Sequence, residues 1–252
     1  MSVLLLFDID GTLLRAPAAR KAYQAVFRER FGSDVVLNGY DFSGQTDRIA
    51  FRELVERAGA TAAEVDAVLE RYLDRLELEL QHEPGYCLPG VRALLRACAR
   101  EPDFFLALGT GNLERGARAK LRALGLDAFF PVGGFADDAE QRPDILAAAL
   151  RKARRYYARR FRRVIVIGDT PRDIAAARAI GARVLAVATG RPTLADLRRG
   201  RPDALLPDLS DRRRALNVLR RLAFDAEGSP YRHRFGSLKG MPWWQSGQAS
   251  GR

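Results

Sequence analysis

Two hydrophobic patterns alternate along the chain. The first is the short, mainly apolar run: Val3–Phe7 at the start, then 103–108 after its opening Asp103, 164–167, 183–187 after its opening Arg183, and a brief one at 204–206. Such runs read as strands buried on both faces, as in the interior of a parallel sheet. Residues 129–135 predict a further short strand. The second pattern is helical. Ala22, Tyr23, Val26 and Phe27 share one face of a helix over 18–31, and Val91, Leu94, Leu95 and Cys98 share another after the turn at 88–91. Further helices are predicted through Ala117, Leu121 and Leu124, over 143–153, and from 173 to Ile180, with Gly125 and Gly181 as stops.

Between the first and second strands the pattern is helical throughout. A loop at 39–44 precedes a helix through Ile49, Phe51, Leu54 and Val55 that Asp47 can cap. Thr61 and Glu64 have the spacing of a capping box ahead of the face Val65, Val68, Leu69, Leu73 and Leu76. Elsewhere strand and helix alternate, and no internal repeat interrupts them. The reading is an α/β chain: a doubly wound, mostly parallel sheet in a discontinuous core of 1–15 and 86–224, with a helical unit inserted at 16–85. From 225 the periodicity is lost among Gly, Ser, Pro and Arg. Residues 225–252 therefore read as a flexible tail, with the adjacent Trp243 and Trp244 as the exception to its polar composition.

Composition narrows the class. A chain of 252 residues suits one α/β domain with an insertion. No stretch is long and apolar enough to span a bilayer, and Asp8 and Asp10 break the first apolar run too early for a signal segment. A cytoplasmic protein without a membrane partner is expected. Cys87 and Cys98 form neither a CxxC pair nor a disulfide framework. The formal charge of +11 raises the question of a polyanion partner, yet of 42 basic residues only Lys21, Lys120, Lys152 and Lys239 are lysine. The densest run, 151–163, interleaves Tyr156, Tyr157 and Phe161 with cations. A solvated helix end is the expected reading, and a polyanion-binding patch the alternative; nucleic acid is not the expected partner.

The candidate chemistry lies at strand ends. The first strand runs directly into Asp8, Ile9, Asp10, Gly11 and Thr12. Two carboxylates this close need a proton or a cation between them, and a hard cation such as Mg²⁺ takes oxygen ligands. One carboxylate is a competent nucleophile toward phosphorus, and the other can pass a proton to the leaving oxygen. Taken alone, the tetrapeptide is as readily a solvated turn. Two more strands end in reactive groups, however: Thr110 after 103–108, and Asp169 with Asp173 after 164–167. Were these strands neighbours, all five residues would gather at one sheet edge.

At these motifs the chain resembles the haloacid dehalogenase superfamily of phosphohydrolases over about 3–209. Within it, the helical insert, the segment Gly44-Gln45-Thr46-Asp47 and the turn at 88–91 resemble the phosphoglycolate phosphatase type. The resemblance implies that Asp8 attacks phosphorus, that Asp10 is the acid and then the base, and that Thr110 and the Gly111 amide hold phosphate oxygens. It implies Mg²⁺ on a carboxylate oxygen of Asp8, the carbonyl of Asp10, Asp169 and Asp173, and a small phosphorylated metabolite as substrate. A phosphoglucomutase of the same fold is the nearest rival; Asp10, Asp169 and Asp173 argue against a dehalogenase. The family's active-site cation has two candidates: Lys120, whose compact ammonium fits beside a carboxylate and a metal, and Arg142, which with Pro143 stands where relatives carry Lys-Pro. Asn112 is expected to cap a helix and Thr12 to order its turn. Asp47 and Arg48 either pair locally or face the site. His82 and His233 are not expected to act.

Overall fold

A computed structural model describes residues 2–224; the tail expected at 225–252, with Trp243, Trp244 and His233, lies outside the described residues. In chain order the elements begin with β1 (Val3–Phe7), β2 (Leu14–Arg15), α1 (Pro17–Phe31), α2 (Asp47–Arg57), α3 (Val65–His82) and β3 (Tyr86–Cys87). There follow α4 (Val91–Cys98), β4 (Phe104–Gly109), α5 (Glu114–Ala123), β5 (Gly133–Gly134), α6 (Arg142–Tyr156) and β6 (Arg163–Gly168). The last are α7 (Pro171–Ala179), β7 (Arg183–Val187), α8 (Leu194–Arg199), β8 (Ala204–Leu206) and α9 (Arg212–Phe224).

Six strands form one parallel sheet in the order β5-β4-β1-β6-β7-β8. All five β1 residues are buried, because helices cover both faces and successive side chains point to opposite sides. Val3, Leu5 and Phe7 pack with Leu94, Leu121 and Leu219 on one side. Leu4 and Leu6 pack with Leu146, Ala149 and Ile174 on the other. Truncating one of these leucines to alanine would cost about 2–5 kcal/mol. The register sets the chemistry: Phe7 pairs with Leu108 of β4 and with Ile167 of β6. The three strands therefore run out abreast, and Asp8, Thr110 and Asp169 leave the sheet at one edge.

The helices α1, α2 and α3 gather a separate apolar cluster around Phe27, Phe51, Tyr72 and Leu76. Chain enters and leaves this unit through β2 and β3, which pair antiparallel as Leu14 with Cys87 and Arg15 with Tyr86. The two connections thus lie side by side, close to the end of β1.

Local structure departs from the sequence reading in three places. The run 129–135 supplies only the two-residue strand Gly133–Gly134. Pro131 has no N–H to give a ladder, and Phe130 and Phe135 fill the core instead of a strand face. Thr61 and Glu64 form no capping box: Ala62–Glu64 is a 3₁₀ turn without a side-chain cap, and Glu64 is drawn into an ion pair with Arg30. Asp47 is the first residue of α2 rather than its cap, which falls at Thr46. No described helix is long and apolar enough to cross a membrane. Cys87 and Cys98 are both free.

Candidate active site

The level strand ends bring Asp8, Asp169 and Asp173 into one buried cluster, with carboxylate oxygens from each within 4.8 Å of one another. The chain holds Asp173 by a capping box at the start of α7: Asp173 N–H donates to Thr170 Oγ1 at 3.2 Å, and Thr170 N–H donates to Asp173 Oδ2 at 3.0 Å. Its other oxygen, Oδ1, is buried and lies 2.6 Å from Arg142 Nη2. Asp169 accepts from the Thr12 hydroxyl at 2.9 Å, so Thr12 ties the loop after β1 to that after β6 rather than ordering its own turn. Three buried carboxylates with oxygens this close together are a donor set that fits a hard divalent cation. Burial, then Asp8 and Asp173, push the Asp169 carboxyl up to about 8. Burial pushes Asp8 up to about 6, against the opposing pull of Arg142.

Two cations lie in the site, on different carboxylates. Arg142, the first residue of α6, is 7% exposed; its Nη2 lies 2.6 Å from Asp8 Oδ1 and 2.6 Å from Asp173 Oδ1. Burial disfavours its charge, but Asp173 and Asp8 more than offset that and hold it protonated. Lys120 projects from α5 and its Nζ lies 2.7 Å from Asp10 Oδ2. The cation in contact with Asp8 is therefore Arg142, whereas Lys120 meets Asp10.

Asn112 departs from its expected role, because Leu113 occupies the cap position of α5. The Asn112 amide group donates to Asp10 Oδ2 at 2.8 Å and to Thr110 Oγ1 at 2.9 Å, and its carbonyl accepts from Lys120 at 2.6 Å. Asp10, Asn112, Lys120 and Thr110 form one network across the mouth of the sheet. Asp10 itself is outside the three-carboxylate cluster, with its side chain 43% exposed toward the cavity.

That cavity has a volume of about 260 Å³. Its floor carries Asp8, Asp10, Thr110, Gly111, Lys120 and Arg142. Its far wall comes from the helical unit, where Tyr23, Phe42 and Tyr72 contribute rings, Tyr23 lying 4.9 Å from Phe42 and 4.5 Å from Tyr72 between centroids. Arg20 lines the same cavity. Neither the ring wall nor Arg20 was legible as a site, since both belong to an ordinary amphipathic pattern. Asp47 reaches the cavity, and burial pushes its carboxyl up to about 6. Arg48 pairs with Asp66, and His82 is exposed at the end of α3. The arginine-rich run keeps Arg151, Arg154, Arg155, Arg159, Arg160 and Arg162 exposed and away from this cavity.

With this geometry in view, the similarities to known proteins are informative. A family model described as haloacid dehalogenase-like hydrolase matches residues 3–181. A phosphoglycolate phosphatase of Synechococcus elongatus is 28% identical over 222 residues, 86% of this chain and 98% of that protein. A haloacid dehalogenase-like family protein of Streptococcus pneumoniae superposes with a TM-score of 0.63 at 19% identity, over 87% of this chain and 98% of that one. CbbY of Rhodobacter sphaeroides, solved in complex with phosphate, does so with a TM-score of 0.65 at 22% identity, over 84% of this chain and 96% of that one.

Proposed function

Because this chain belongs to the haloacid dehalogenase-like hydrolases, we propose that it is a Mg²⁺-dependent phosphatase of a small phosphomonoester. The observation that carries this reading is the convergence of Asp8, Asp169 and Asp173 on one point, beside Arg142 and across from Asp10. Asp8 attacks phosphorus; the P–O bond to the alcohol breaks as the aspartyl phosphate forms. Asp10, held by Lys120 and Asn112, gives its proton to the departing alkoxide and then takes one from the water that cleaves the acyl phosphate. Thr110 and the Gly111 amide hold phosphoryl oxygens, and Arg142 supplies positive charge beside Asp8. Asp8, the Asp10 carbonyl, Asp169 and Asp173 are the ligands we assign to the cation, which when bound lets one anion approach another. Residues 16–85 act as a cap over a core of 1–15 and 86–224, excluding water from the transfer.

The named activity of the Synechococcus relative supports phosphoglycolate as the substrate. Arg20 favours an anionic tail on the alcohol, because it is an exposed cavity residue with no carboxylate partner among the described residues. A panel of phosphomonoesters, with and without Mg²⁺, tests the proposal. Metal-dependent release of inorganic phosphate is expected, with phosphoglycolate preferred and that preference reduced about tenfold in Arg20→Ala, the scale of one exposed charge contact. Phosphoryl transfer to a second sugar position without release would favour the phosphoglucomutase-type reading. No metal-dependent turnover of any ester would overturn both.

A further inference from the structure

The segment 43–47 of the helical unit is wedged between the two loops that carry the site. On one side, Asp47 N–H donates to the Gly111 carbonyl at 2.7 Å, and Asp47 Oδ2 accepts from Leu113 N–H at 2.8 Å. Leu113 is the cap residue of α5 and has no capping side chain of its own. A carboxylate from α2 thus takes the cap residue's own N–H, the bond that a third-position Glu or Gln makes in a capping box, while Asp137 Oδ2 accepts from Glu114 N–H at 2.6 Å. Thr110, Asn112 and the Gly111 amide lie in this same loop. The approach is close: a Cβ on Gly111 would stand 2.5 Å from the Gln45 carbonyl oxygen and 3.0 Å from Thr46 Cα. On the other side, Gly44 has φ +65°, and a Cβ there would lie 2.7 Å from Thr170 Oγ1. Arg172, in the first turn of α7, also donates to the Ser43 carbonyl.

We propose that Asp47 is a positioning residue: its carboxylate latches the helical unit onto the loop of Thr110, Gly111 and Asn112, and so sets that loop for the phosphoryl group. The proposal rests on the phosphatase reading for its kinetic consequence but not for its structural one. Asp47 does not touch the reacting atoms in this role. It acts through the two backbone groups it bonds, and it makes the loop's geometry depend on the seated helical unit.

Amide exchange and steady-state kinetics on the full chain test this together. In Asp47→Ala, exchange at the Leu113 amide is expected to speed up at least about tenfold, while amides of β1 and β6 are unchanged. With a phosphomonoester and Mg²⁺, kcat is expected to fall about 10- to 100-fold with a smaller change in KM, because the loop is misplaced rather than the substrate lost. Asp47→Asn keeps an acceptor oxygen and should recover most of both effects; it also serves if the alanine variant folds poorly. Unchanged Leu113 exchange in Asp47→Ala would overturn the latch. Faster exchange with kcat within twofold of wild type would reduce Asp47 to a structural cap and overturn the positioning role. If the wild type hydrolyses no phosphomonoester, the phosphatase reading fails, and the exchange result alone decides the latch.

Discussion

Arg142 and Arg154 stand on one helix, about three turns apart, in opposite circumstances. Arg142 opens α6, where the helix dipole is positive and a cation is unfavourable. It is buried there, between Asp8 and Asp173. Arg154 lies in the last turn, where a cation suits the dipole, and is exposed with no carboxylate partner among the described residues. The crowded arginine run attracts the eye in the sequence, but its charges are the ones solvent and the helix end already accommodate. The isolated arginine is held against its helix by carboxylates from the loop after β1 and from the first turn of α7. A cation at the wrong end of a helix, out of water, signals a partner that a charge count does not.

The sharpest way to break this contrast is to remove the buried member. Arg142→Ala leaves Asp8, Asp169 and Asp173 crowded without compensation, and should destabilise the fold by about 3–5 kcal/mol in metal-free buffer. Mg²⁺ should recover part of that in a thermal melt, and turnover should still fall at least about 100-fold. A metal-independent loss below about 1 kcal/mol would mean that the carboxylates do not depend on Arg142.

Lys120→Met should cost less stability and act on the other carboxylate. It removes the ammonium that holds Asp10, so kcat should fall about 100-fold, the usual scale of a general acid. Substrates with good leaving groups, which need little protonation, should lose much less. Equal losses for good and poor leaving groups would detach Lys120 from Asp10's chemistry.

The Asp47 carboxyl gives a smaller effect with a definite sign. Burial raises it to about 6 in the fold, above the ordinary unfolded value of about 3.9. Lys120 opposes that rise, as does the Leu113 N–H, while Asp10 and Asp137 add to it. The folded chain therefore binds a proton that the unfolded chain releases, and this contribution favours folding below about pH 4 and is lost as pH rises through about 6. Relative to Asp47→Asn, the wild type should lose on the order of 1–3 kcal/mol between those values. A difference curve that is flat over that window, read from denaturant melts, would contradict the burial of this carboxylate.

The exposed arginines should matter least. Replacing Arg154, Arg155 and Arg159 together by alanine should shift stability by no more than about 0.5 kcal/mol per site and leave turnover within twofold. A steep loss of binding to single-stranded nucleic acid in that triple variant would instead assign a partner to the run.

Much of the fold was legible because burial on both faces leaves a plain trace: β1 and β4 are apolar throughout, β6 and β7 are apolar after an opening arginine, and the helices between them keep a 3.6-residue period. The same signal was weaker at 129–135, where apolar residues fill the core from an irregular stretch, Pro131 has no N–H for a ladder, and the strand is confined to Gly133–Gly134 beside β4. The acidic residues were readable from their place at strand ends. What they touch was not, because it depends on register between strands a hundred residues apart. Asn112 looked like a helix cap and is a bridge between Asp10, Thr110 and Lys120. Asp47 looked like the cap of its own helix and instead bonds the cap residue of another. In both, a short polar side chain had a local partner available, and tertiary packing supplied a distant one that sequence spacing does not encode.

The account depends on which oxygen attacks phosphorus. Rapid acid quenching of the Mg²⁺-loaded protein during turnover of a phosphomonoester, followed by peptide mass spectrometry, tests that directly. A phosphoryl group on the peptide bearing Asp8, labile to hydroxylamine and missing in Asp8→Asn, is the predicted result. Turnover with no phosphoryl-enzyme, undiminished in Asp8→Asn, would contradict it.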